Sequence, residues 1–186
     1  MTPGHARRRP SPKPAIPLPD PPLGEGAVCL RPWSVADAAA LVAGWSDPEV
    51  ARWTGVPDRT EEVAARRWIE GEADRRARGL ALDLVVDLDG AVVGEVGLSS
   101  LDPDAGTVEI GWWIDVAHRR RGLATVAARL MATWSVAELC VNTVLATCDP
   151  ANPPSGGVAR SAGFAPGGED GVWTFRDGGG RGTVPP

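Results

Sequence analysis

The strongest constraint on how this chain can fold is the run 107–148. Residues 107–115 alternate in the manner of a strand. Leu123, Val126, Ala127, Leu130 and Trp134 then mark one face of a helix over 122–138, and residues 144–148 read as a second strand. Two strands joined by such a crossover pair in parallel, and the crossover is right-handed. The turn at 116–122 therefore lies at the carboxyl end of a strand, where α/β sheets bind ligands.

The flanking sequence supplies the other elements. Residues 82–86 and 92–98 surround Asp87-Leu88-Asp89-Gly90, a hairpin signal, and Asp102-Pro103-Asp104-Ala105-Gly106 turns the chain again into 107–115. Ahead of them, 28–32 reads as a short strand, and Ser34 with Asp37 three residues on marks a helix start. Asp47-Pro48 opens a short helix through Trp53, and Thr60 caps a third helix that Gly79 stops. A helix over 154–162 and a strand over 172–175 close the pattern. The order predicts a mixed α/β fold in one domain, residues 25–176. Eight of the 18 prolines fall within the first 22 positions, so residues 1–24 are expected to form a disordered tail. The Gly-rich stretch 177–186 is expected to be flexible.

Composition narrows the function. No apolar run in the 186 residues approaches the roughly 20 that a membrane span needs, so no membrane partner is expected. Arg7, Arg8 and Arg9 precede prolines and not an apolar signal core, which points to a cytoplasmic location. A net charge of −5 argues against nucleic acid as a partner. The alternative is that Arg119 to Arg121 and the Arg-rich tail contact RNA. Cys29, Cys140 and Cys148 lack metal-ligand spacing and read as reduced core residues. With only two histidines besides, no metal site is expected. The oligomeric state is left as monomer or homodimer.

The segment Val116-Ala117-His118-Arg119-Arg120-Arg121-Gly122-Leu123-Ala124-Thr125 follows a strand and opens a helix. A helix N-terminus offers unpaired N–H groups and the positive end of a dipole. Gly122 lets a ligand approach the backbone, and three arginines add charge. These features suit a pyrophosphate. The plainer reading is a basic surface loop, with His118 facing solvent.

A second stretch, Asp149-Pro150-Ala151-Asn152-Pro153-Pro154-Ser155, follows the next strand, with Gly163-Phe164 after the short helix. Here the sequence resembles a known family. Arg119-x-x-Gly122-x-Ala124 is similar to the Arg/Gln-x-x-Gly-x-Gly/Ala signature of the GNAT N-acetyltransferases. Asn152-x-x-Ser155 with Gly163-Phe164 resembles the later part of that fold. Glu109-Ile110-Gly111-Trp112-Trp113, Leu30-Arg31-Pro32 with Asp37, and Asp47-Pro48 resemble the branch that acetylates ribosomal-protein N-termini, the RimJ/RimL branch. The resemblance covers roughly residues 26–176. It implies a central, mostly antiparallel sheet splayed between two parallel strands, with helices on both faces. It also implies acetyl-CoA as co-substrate, without a metal. Backbone groups near Trp113 and Ile114 would pair with the pantetheine arm. Arg119 would open the signature, and the N–H groups of Arg120, Arg121, Gly122, Leu123, Ala124 and Thr125 would hold the pyrophosphate. Asn152 would bond the amide-bearing arm.

The acceptor would be an amine, either a peptide N-terminus or a small molecule. An α-amino group has a pKa near 8 and a lysine side chain about 10.4, so an N-terminus asks less of a base. Many members of the family use a tyrosine as the acid, and this chain has none. Ser155 matches a serine proposed for that role in the ribosomal branch; the plainer reading is that it caps the last helix. Glu109, directly or through a water, is the candidate base, against a structural carboxylate as the plainer reading. Glu95 on the adjacent strand is the alternative. Gly156-Gly157 is a poor start for a helix and departs from the pattern. Trp45 and Trp53 read as core or as walls of the amine pocket. Two other functions stay open. The acidic run Glu61, Glu62, Glu70, Glu72 and Asp74 would suit a cationic small amine such as an aminoglycoside or polyamine. A non-catalytic acyl-CoA-binding module is the other.

Overall fold

The computed structural model describes residues 13–57 and 60–176. Eight strands form one open sheet: β1 (Leu23–Glu25), β2 (Val28–Pro32), β3 (Ala81–Leu88), β4 (Ala91–Asp102), β5 (Thr107–Ile114), β6 (Thr143–Thr147), β7 (Ala165–Pro166) and β8 (Val172–Phe175). Their order is β1-β2-β3-β4-β5-β6-β8-β7. Only β5 and β6 are parallel neighbours; every other pair is antiparallel. The expected mixed α/β sheet with one parallel pair is the one found. At the β3–β4 turn Asp89 and Gly90 take φ of +52° and +86°, the doubly left-handed pair that a tight hairpin demands.

Six helices cover the sheet: α1 (Ala38–Trp45), α2 (Pro48–Trp53), α3 (Glu62–Glu70), α4 (Glu72–Ala77), α5 (Leu123–Glu138) and α6 (Pro153–Ser161). Alternation along β5 divides them between two cores. Val108 and Ile110 point to the face where Leu123, Ala127 and Met131 of α5 and Ala159 of α6 pack. Trp113 points to the other face, with Trp33, Leu41, Trp45, Ala65 and Ile69. There Trp68 stands edge-on to both Trp33 and Trp45, at 6.3 and 5.9 Å between centroids. A side chain at Gly44 would collide with the Trp113 ring, so the glycine lets that indole lie against α1.

Two expectations need correction. The third helix does not run unbroken from a Thr60 cap to Gly79. Glu61 is its N-cap, and Gly71 divides α3 from α4. Glycine is a poor helix former, and the bend there lets Arg75 donate back to the Trp68 carbonyl at 2.8 Å. Nor is the N-terminal segment a tail along its whole length. Ile16 is 1% exposed and its N–H donates to the Arg76 carbonyl at 3.0 Å, while β1 pairs with β2. Proline forbids ladder bonds at its own nitrogen, but it does not stop an extended run from anchoring one isoleucine in the core. Residues 1–12 and 177–186, the remainder of the expected tails, lie outside the described residues.

Candidate active site

β5 and β6 pair only at Thr107–Thr143, Val108–Val144 and Glu109–Leu145. On its other edge β5 stays paired with β4 as far as Ile114–Gly94. From Ile110 onward β5 therefore has one edge with no strand partner. A cavity of about 610 Å³ opens there, within the range of small-molecule sites. Trp112, Trp113 and Ile114 form one wall, and α2 another. Its floor includes the loop before α5, and its far side Asn152 and α6.

The loop is shaped by backbone as much as by charge. Asp115 accepts from Ala117 N–H at 3.4 Å and holds His118 Nδ1 at 2.9 Å. His118 is half-buried and lines the cavity, so it does not simply face solvent as expected. Arg120 and Gly122 then take φ of +64° and +81°. Gly122 is the N-cap of α5 and has no side chain to cap it. A Cβ there would meet nothing within 4 Å, so conformation and not space calls for glycine. The first N–H groups of α5 are left free to bind an anion at the positive end of a 16-residue helix.

Arg119, Arg120, Gly122, Leu123, Ala124 and Thr125 all line the cavity; Arg121 is exposed and lies outside the lining. Arg119 serves the protein itself. Its Nε donates to the Ile114 carbonyl at 2.8 Å and its Nη2 to Asp47 Oδ2 at 2.6 Å. Asp47 in turn caps α2 by accepting from Glu49 N–H at 2.8 Å. The side chain thus ties the loop before α5, the free edge of β5 and α2 together.

Asn152 is the N-cap of α6 but makes no side-chain cap bond. Ser155 is the third helical residue, so the reading of Ser155 as cap is corrected. Its hydroxyl donates to Cys148 Sγ at 3.3 Å, and both Asn152 and Ser155 line the cavity. Burial pushes the Cys148 thiol up, against the Ser155 hydrogen bond. The Gly156-Gly157 pair stays helical, with Gly157 on the cavity and Gly156 near the Trp173 ring.

The face of β5 opposite α5 carries Glu109, Gly111 and Trp113, set against Ser99, Gly97 and Glu95 of β4. Glu109 is exposed and lies outside the cavity lining. Gly111 borders open space: a Cβ there would meet nothing within 4 Å. Glu95 is half-buried. Trp33 Nε1 donates to its Oε2 at 2.9 Å and Trp113 Nε1 to its Oε1 at 3.2 Å. Desolvation, helped by the charge of Asp83, pushes the Glu95 carboxyl up to about 8 against those two donors. Desolvation likewise pushes Asp83 up to about 6, although Arg75 Nη2 lies 3.4 Å from it.

Sequence reasoning missed several lining residues, among them Glu49, Val50 and Thr54, Trp112 as a cavity wall, and Val158 and Ser161 of α6. Glu49 accepts from Trp53 Nε1 at 3.1 Å. The four-residue spacing of that pair was visible, but not the direction its face points. Trp53 lines the cavity and Trp45 is core, so the two tryptophans divide between the two expected roles. The acidic run contributes nothing to the lining. Glu62 pairs with Arg66, Glu72 with Arg76 and Asp74 with Arg78. Among the described residues no group of three or more His, Cys, Asp or Glu side chains could hold a metal, and no helix is long and apolar enough to cross a membrane.

A family model described as acetyltransferase (GNAT) domain matches residues 27–165. The "Uncharacterized N-acetyltransferase p20" of Bacillus licheniformis is 29% identical over 137 residues, 73% of this chain and 77% of that protein. The ribosomal-protein-serine acetyltransferase of Escherichia coli K12 is 24% identical over 103 residues, 55% of this chain and 58% of that protein. Among solved structures, Mycobacterium smegmatis RimJ in complex with CoA-disulfide superposes with a TM-score of 0.73. It is 23% identical and covers 84% of this chain and 86% of its own. The microcin C7 self-immunity acetyltransferase MccE, in complex with acetyl-CoA and AMP, gives 0.70 at 15% identity, covering 82% and 93%.

Proposed function

The chain belongs to the GNAT acetyltransferase family, and from that premise we propose that it moves the acetyl group of acetyl-CoA to a primary amine, namely a protein or peptide N-terminus. One observation carries the reading: a ligand-sized cavity between the free edge of β5, the uncapped start of α5 and the start of α6. The N–H groups from Arg120 to Thr125 would hold the pyrophosphate, with Arg120 and Arg121 adding charge. The free edge at Trp113 and Ile114 would take the pantetheine arm as an added strand, and Asn152 would bond one of its amides. A donor at the same edge would stabilise the oxyanion. Ser155, which lines the cavity with the buried Cys148 behind it, would give its proton to the departing thiolate. Glu109, exposed beside the Gly111 opening, would pass the amine's proton on to water.

Acceptor identity rests on two supports. A relative of this chain carries the name ribosomal-protein-serine acetyltransferase. An α-amino group is also half neutral near pH 8, so it asks less of a base than a lysine side chain does. A small cationic amine is the second reading, favoured by Glu49, the one carboxylate among the cavity-lining residues. The test is release of free thiol from acetyl-CoA across a library of peptides and small amines, with wild type and Glu109→Gln. Peptide N-termini should raise turnover most and Glu109→Gln should lower it. Thiol release that no amine accelerates would overturn the reading.

A further inference from the structure

We infer that Glu49 and Trp53 of α2 read a positive charge on the acceptor, namely a lysine or arginine side chain that follows the reacting α-amine of a peptide. The inference rests on the transferase reading above and deepens it by naming the substrate class. The cavity draws its lining from both faces of the sheet. Leu123, Ala124 and Val158 come from α5 and α6, which pack on the face of Val108. Glu49, Val50 and Trp53 come from α2, and Val50 belongs to the core on the face of Trp113. An acyl donor held along the β5 edge and at the start of α5 occupies the first side, so the α2 wall is left to the acceptor.

The two walls differ in charge. The α5 side offers a polyanion Arg120 and the first N–H groups of the helix. The α2 side offers Glu49, the one carboxylate among the lining residues. Of the other lining groups that can carry charge, Arg119 is bonded to Asp47 and His118 to Asp115. Among the described residues Glu49 itself has no ion-pair partner. A lone carboxylate on the wall of a cavity that takes a polyanion is repelled by it, and a cation brought by the acceptor relieves that repulsion. The cation is not the reacting nitrogen. A carboxylate beside that nitrogen would favour its charged form, which has no lone pair for attack. It is therefore a second charge on the same acceptor.

The pair is shaped to receive it. Glu49 and Trp53 stand four residues apart on one face of α2, and Trp53 Nε1 donates to Glu49 Oε2 at 3.1 Å. That bond orients the carboxylate and leaves Oε1 for another donor. The Trp53 ring already takes the Arg52 guanidinium at 4.5 Å from its centroid, so a cation is accommodated beside this indole. α2 is held firmly enough to present the pair: Arg119 Nη2 bonds Asp47 at 2.6 Å, and Val50 is 3% exposed. Glu49 is exposed, which puts it at the mouth of the cavity, where the second residue of a peptide would follow the first.

The experiment measures kcat and KM at saturating acetyl-CoA for peptides that differ only in their second residue, Lys, Arg, Ala or Glu, at low and high salt. A simple diamine forms the small-molecule arm, and coenzyme A affinity is read by calorimetry. Wild type should show a KM about fivefold lower for the Lys and Arg peptides than for the Ala peptide, and salt should shrink that preference. Glu49→Gln keeps an oxygen for Trp53 Nε1 and should raise KM for the basic peptides to that of the Ala peptide. Its kcat on them should change by less than about twofold, and its coenzyme A affinity should not fall. Glu49→Lys should reverse the order and favour the Glu peptide, a change that a purely structural role would not produce. If neither variant folds, the salt dependence of the wild-type preference decides. The inference is overturned if wild type does not distinguish the Lys peptide from the Ala peptide, or if its preference ignores salt. It is equally overturned if Glu49→Gln raises KM for all peptides alike, or if only the diamine responds to Glu49. Wild type that binds coenzyme A but acetylates no amine sinks the transferase reading instead, and this inference with it.

Discussion

Arg119 occupies the first position of the Arg-x-x-Gly-x-Ala pattern, yet its guanidinium is used inside the protein. It joins the Ile114 carbonyl to Asp47, whose other oxygen caps α2. Arg31 behaves alike: it bridges Asp37 at 2.7 Å and Asp87 at 2.8 Å, so its guanidinium ties β2 to β3 and to the turn that leads into α1. Motif residues that look like ligands can thus be fasteners that hold the loop before α5. The Asp47 and Arg119 side chains are 12% and 30% exposed, so their pair is shielded from much of the solvent screening that weakens surface bridges. A double-mutant cycle with Asp47→Ala and Arg119→Ala, read by chemical unfolding, should give a coupling of about 1 kcal/mol or more. Additive losses would mean that the contact does not hold the loop. At this scale the strand-to-helix junction at 116–122 was legible in the sequence, because the alternation of a strand ends there and the period of a helix begins. The role of each side chain was not, because Asp47 lies far from Arg119 along the chain.

At the scale of elements, the junction of β5 and α5 does two things with one turn. Asp115 closes a short 3-10 turn, and the left-handed Arg120 and Gly122 swing the chain so that α5 starts with its N–H groups toward the cavity. Gly122→Ala keeps the space open but forces an L-residue to hold φ of +81°, a cost of roughly 1–2 kcal/mol. We expect coenzyme A affinity to fall by about tenfold, measured by calorimetry, because relaxation of that strain would turn the first N–H groups away. An unchanged affinity would show that these donors are not used. The strands and the long helix were readable because their apolar period extends over many residues. The α3–α4 break and the anchoring of Ile16 were not, since each depends on contacts to Arg75, Trp68 or Arg76 from elsewhere in the chain.

Across the whole molecule, two carboxylates sit where desolvation outweighs their partners, and this ties stability to pH. The folded state holds Glu95 up to about 8 and Asp83 up to about 6, above their ordinary values near 4. Between those limits the folded chain binds more protons than the unfolded one, so stability falls as pH rises. Their contribution is full below about pH 4 and is lost progressively up to about pH 8. Urea unfolding at fixed ionic strength should show wild type losing stability from about pH 5 to 8 relative to Glu95→Gln, with no further divergence above. A difference that stays constant over that window would mean that Glu95 titrates normally. The sequence by itself determined the main strands from β2 to β6, the long helix α5 and the single parallel crossover between β5 and β6. Those follow from local period and turn chemistry, which neighbouring residues decide. Only the tertiary structure decided which carboxylate is desolvated. Glu109 and Glu95 read alike as glutamates on adjacent strands, but one faces water and the other is enclosed by Trp33 of the β2–α1 connection, Trp113 of β5 and Asp83 of β3. Desolvation is a sum over everything nearby in space, and no single stretch of chain contains it.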